Sequence, residues 1–120
     1  MSCVFDGAGF FLAGFCEPVR VLLCCLQSLK PQPIPAYDFW RPYFVHGCEE
    51  AGFEYIEVPD VDWAEGLVYP LGDKLVAWRA RTWETVLAFV RRERARQPID
   101  FFLGYLYPNQ IEPAAISELQ

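Results

Sequence analysis

Residues 19–26, Val-Arg-Val-Leu-Leu-Cys-Cys-Leu, form a short aliphatic and β-branched run with little alternation. That pattern suits a strand covered on both faces, as in a parallel sheet with helices above and below. Outward from it the order is regular. A proline-rich loop, Lys30-Pro31-Gln32-Pro33-Ile34-Pro35, suppresses helix and ladder alike. Asp38 is then placed to cap a helix running to Ala51, with Trp40, Phe44, Cys48 and Ala51 on one stripe and Pro42 in or just after its first turn. Gly52 stands where a left-handed residue ends such a helix. The alternating run Phe53-Glu54-Tyr55-Ile56-Glu57-Val58 predicts a second strand, nearer a sheet edge.

An acidic loop follows, from Asp60 to Gly66, and then the longest helix, from Gly72 or Asp73 to Gln97. Val76, Ala80, Trp83, Leu87 and Val90 repeat at helical spacing, and Leu75, Trp78, Val86 and Phe89 widen their stripe. Arg91, Arg92, Arg94 and Arg96 crowd its carboxyl end, where cations oppose the helix dipole. A third, nearly all apolar strand spans residues 99–107, and a last helix starts near Glu112 or Pro113. The β-α-β-α-β-α order predicts an α/β fold, a Rossmann-like parallel sheet with flanking helices. Two of three strands read as doubly buried, yet a three-stranded sheet has one central position. The expectation is therefore the opening half of a larger domain, with residues 19–120 as a partial Rossmann-like unit and residues 1–18 as a leader or loosely packed extension. An uncovered sheet edge predicts self-association.

Composition narrows the chemistry. The chain has 120 residues, ten basic and sixteen acidic side chains and a net charge of −6, which argues against phosphate-backbone binding. Glu93 interrupts the arginine cluster, so a solvated helix end is expected there and no nucleic-acid partner. No stretch is long and apolar enough to predict a membrane span. Residues 1–18 lack a basic leading region, and Gly7-Ala8-Gly9 lacks the strand and helix that a dinucleotide fingerprint requires. Five cysteines (Cys3, Cys16, Cys24, Cys25, Cys48) without a C-x-x-C spacing, and His46 as the one histidine, predict no metal site, buried thiols and a cytoplasmic location. His46 falls mid-helix, on the helix surface. Asp60-Val61-Asp62 reads as a solvated acidic loop rather than a metal-holding Asp-x-Asp, and Trp63 as a loop anchor. Trp40, Trp78 and Trp83 are assigned to core packing.

The runs RVLLCCLQ (20–27), FWRPYFVHGCEEAGFEYIEVPD (39–60) and PIDFFLGYLYPNQIEPAAISELQ (98–120) resemble the N-terminal domain of two-domain bacterial glycosyltransferases, in the group that includes CgeB-like spore-maturation proteins. The resemblance implies a GT-B arrangement, in which this domain holds a small-molecule or glycan acceptor. The nucleotide-sugar donor would then bind a C-terminal domain outside this chain, with no cofactor within it. In such a sheet the loops at the carboxyl ends of the strands carry function. Gln27, Ser28, Tyr107, Asn109 and Gln110 are the candidate acceptor contacts; catalytic residues are not assigned. The alternative is a non-catalytic Rossmann-like binding or interaction module.

Overall fold

The computed structural model describes residues 18–31 and 39–120. Residues 1–17 and 32–38, and with them Asp38, Cys3 and Cys16, lie outside the described residues. The elements are β1 (Arg20–Cys25), α1 (Arg41–Ala51), β2 (Glu54–Ile56), α2 (Glu65–Val68), α3 (Asp73–Arg96), β3 (Phe101–Tyr105), a 3-10 turn (Pro108–Gln110) and α4 (Pro113–Leu119). The strands form a parallel sheet in the order β2-β1-β3, with Arg20 opposite Glu54 and Val21 opposite Phe101.

That order fixes where the helices go. β2 and β3 lie on opposite sides of β1, so right-handed crossovers place α1 on one face of the sheet and α3 on the other. The contacts agree. Phe44 of α1 lies against Tyr105, ring centroids 5.3 Å apart, whereas Trp83 of α3 lies against Phe102 at 6.5 Å. Alternation along β3 then assigns Phe101, Leu103 and Tyr105 to the α1 face, and Phe102 and Gly104 to the α3 face.

The main core cluster lies on the α3 face, and Val21, Leu23 and Cys25 of β1 are buried on the other. On the α3 face Leu22, Cys24 and Leu26 pack with Trp63, Trp78, Trp83, Val86, Val90, Ala115 and Leu119. Trp63 makes edge-on contacts with both Trp78 and Trp83. Each fully buried large side chain here contributes about 2–3 kcal/mol of transfer free energy. On the α1 face, Cys48 is the buried residue of α1. β1 is buried along its whole length, while every residue of β3 is exposed.

Several expectations change. β3 is apolar but is an edge strand, not a doubly covered one. The buried stripe of α3 is Leu75, Trp78, Thr82, Trp83, Val86 and Val90; Val76, expected on the seam, is 53% exposed. The helix is rotated so that its indoles, which bury the most area, point inward. Trp40, assigned to the core, is exposed and serves as the N-cap residue of α1. Gly52 ends α1 at φ 75°, as its position predicts, and its N–H donates to Cys48 or Glu49 carbonyls. Among the described residues no helix is long and apolar enough to cross a membrane.

Candidate functional site

In a sheet ordered β2-β1-β3 the chain leaves β1 toward one side and returns on the other, so a topological switch point lies between β1 and β3. Ligands of open α/β sheets bind outside the carboxyl ends of the strands near such a point. The loops that matter are those after β1, β2 and β3.

Gln27 and Ser28 follow β1 and are half-buried. The Ser28 Oγ accepts the Lys30 N–H at 3.2 Å, which tightens the turn leading into the cleft. The Gln27 carbonyl accepts the Ala64 N–H at 3.0 Å. After β3, Tyr107 is exposed and Asn109 half-buried, its carbonyl 3.5 Å from an Arg79 guanidinium nitrogen that donates to it. Gln110 has no exposure at all. Its Oε1 accepts the Tyr107 N–H at 2.7 Å, its Nε2 donates to the Trp63 carbonyl, and its own carbonyl accepts the Trp83 indole N–H at 2.6 Å. A buried amide so fully engaged holds loops together and offers nothing to a ligand.

The loops after β1 and β3 therefore meet on the segment after β2. Its residues Val61, Trp63 and Ala64 are buried, while Asp60 and Asp62 line an open cleft. Periodicity has no purchase on so short a segment, and the sequence reads there as solvated acid; the structure makes it the joint between three loops. The one signal was Trp63, a large apolar ring inside an acidic run.

The cleft lies on the β1–β2 side, beside the switch point rather than at it, has a volume of about 480 Å³ and is lined by Leu29, Lys30, Asp60, Asp62, Glu65, Val68 and Tyr69. Asp60 holds φ at 62°, a left-handed backbone that non-glycine residues adopt rarely. The Asp62 Oδ1 accepts the Glu65 N–H at 3.2 Å, and the Tyr69 hydroxyl donates to Glu65 Oε1 at 2.8 Å. That hydrogen bond holds the Tyr69 phenol above its ordinary pKa. Asp60, Asp62 and Glu65 outnumber Lys30 and the nearby Arg81, which makes the cleft chiefly a hydrogen-bond acceptor.

Other chemistry-bearing groups sit elsewhere. His46 lies on the exposed surface of α1, its Nε2 3.1 Å from Glu50. Burial, then the charge of Glu57, pushes the Cys24 thiol up to about 12 and the Cys25 thiol up to about 11, so neither is a ready nucleophile near neutral pH. Arg91, Arg94 and Arg96 engage Glu118, the Leu119 carbonyl and Glu93. A second cavity, of about 460 Å³, is apolar and runs on the α1 face between α1 and β3. Compared with protein-family models, with curated protein sequences and with solved structures, the chain matches none.

Proposed function

We propose that this chain is the acceptor-holding part of a sugar-nucleotide-dependent glycosyltransferase, and that the cleft between the loops after β1 and β2 receives a polyhydroxylated acceptor. The observation that carries the proposal is the cleft itself: an open cavity at the carboxyl end of a parallel sheet, lined by Asp60, Asp62, Glu65 and the Tyr69 hydroxyl, with Leu29 and Val68 beside them. Carboxylates accept hydrogen bonds from neighbouring hydroxyls of a sugar or polyol, and small apolar side chains meet its C–H face. A nucleoside diphosphate would meet like charge there, so the proposal puts the donor on a further domain. Gln27 and Ser28 precede the lining residues Leu29 and Lys30 and remain candidate contacts with Tyr107, and Gln110 positions these loops.

The test is an NMR titration of the full chain with methyl glycosides, an aminoglycoside and a nucleotide sugar. Shifts confined to Lys30, Asp60–Glu65 and Tyr69, induced by the glycosides and weakened in Asp60→Asn, support the proposal. Tighter binding of the nucleotide sugar at the same cleft, or no shift there with any glycoside, contradicts it. The second reading, a non-catalytic interaction module, draws on a different observation, the bare apolar face of β3.

A further inference from the structure

Among the described residues the α1 face of β3 carries an apolar surface that the proposed function does not use. Phe101 and Tyr43 are 60% and 61% exposed, and Phe53, Leu103 and Tyr105 are each more than a third exposed. Phe101, Tyr43 and Phe53 surround a groove whose floor is Val21 and Leu103 and whose wall is Phe44, Gly47 and Cys48 of α1, with Tyr105 beside it. Among the described residues nothing lies within 4 Å of a Cβ added at Gly47, so this wall stands open to them. Among the described residues no charged side chain lines the groove.

We propose that a second copy of this chain seats on this groove, forming a two-fold dimer through the α1 face of β3. The size of the patch is the first reason. With about 200 Å² for each large side chain, its exposed parts amount to roughly 500 Å² per copy, or on the order of 1,000 Å² when two copies meet, the size at which specific association begins. Contiguous apolar surface of this extent marks an interaction site rather than ordinary exposure. Charge is the second reason. An uncharged patch has no pattern to select a charged foreign partner, but it is complementary to itself, as an isologous interface requires. A net charge of −6 keeps the other faces of two copies apart. The geometry allows it: Tyr43 stands on α1 as a ridge beside the groove, and a two-fold axis through the groove sets each ridge against the opposite copy's β3.

Sedimentation velocity of the full chain, from low micromolar to about 100 µM, tests the proposal. The expected result is a closed, concentration-dependent dimer. Phe101→Glu and Tyr43→Glu, each on a different wall and each at a mostly exposed position, should weaken it by at least about tenfold while circular dichroism and thermal melts stay those of a folded chain. Leu71→Glu, at an apolar residue 85% exposed and outside the groove, should leave it unchanged. A monomer across the whole range overturns the proposal. So does a dimer that survives both groove variants, open-ended aggregation, or equal sensitivity to Leu71→Glu.

Discussion

Arg20, in the central strand, forms a buried ion pair with Glu93 near the carboxyl end of α3. Its guanidinium also donates to the Gln97 carbonyl at 3.0 Å, and its backbone N–H donates to Asp100 Oδ2 at 2.8 Å. The strand thereby caps the helix that covers it: a cation meets the unpaired carbonyls and negative dipole end of α3. The sequence assigns that role to the arginines of the helix itself, yet a residue seventy-three positions before Glu93 reaches its carboxylate and the Gln97 carbonyl.

Arg20→Met should destabilise the chain by about 3–5 kcal/mol, because it leaves the Glu93 carboxylate part-buried without its cation and strips the Gln97 carbonyl of its side-chain donor. Urea denaturation measures this. The double variant Arg20→Met/Glu93→Leu should recover a substantial part of the loss, and no recovery would place the effect in packing instead.

Two glycine substitutions should have opposite signs. Gly47→Ala adds a methyl group in open space in the middle of α1 and should stabilise by about 0.5–1 kcal/mol. Gly66→Ala would bring its Cβ within 2.5 Å of the buried Trp78 ring and should destabilise by about 1–3 kcal/mol. Thermal melts of the two variants compare them directly.

Gln110→Leu should cost about 2–4 kcal/mol, since the Tyr107 N–H and the Trp63 carbonyl both lose their partner inside the protein. The loss should also raise proteolytic nicking in the segment around Trp63. An unchanged melt would mean that these loops are held by packing alone.

The buried thiols give a pH dependence of defined sign. Cys24 and Cys25 titrate at about 12 and about 11 in the fold, against an ordinary value of 9.0. The folded state therefore favours the protonated thiols, and the stabilisation is fully present below pH 9. It is lost as pH rises from there toward 12, because the unfolded chain ionises first. Chemical denaturation between pH 8 and about pH 11 should show falling stability, and Cys24 and Cys25 should react with a thiol reagent at pH 8 only after unfolding. Rapid labelling of either in the native chain would contradict this.

What the sequence made legible follows the physics of each element. The aliphatic run at Val21–Leu26 and the helical period of residues 73–96 identify β1 and α3, because long or strongly apolar patterns permit few structures. Gly52 and Pro113 mark helix ends by backbone constraint alone. The face of α3 was less legible: Val76 and Leu75 are neighbours of equal apolarity, and only the sheet beneath decides which is inside. The cover of β3 is hidden for the same reason, since Phe101-Phe102-Leu103 reads identically whether covered or bare. Of the candidate site, the loops were located but not their roles. Gln110 and Trp63 lie forty-seven positions apart, and local pattern cannot reveal a long-range hydrogen bond.

Backbone hydrogen exchange along β3 tests the bare edge most directly. The Leu26 N–H donates to the Tyr105 carbonyl at 3.0 Å, so alternation turns the peptide groups of Phe101, Leu103 and Tyr105 toward β1 and those of Phe102 and Gly104 outward. Val21–Cys25 and Leu103 should exchange slowly, while Phe102 and Gly104 should exchange at rates close to those of exposed amides. Equal, strong protection at Phe102 and Gly104 would show that β3 is covered and would contradict the edge on which this description of the fold rests.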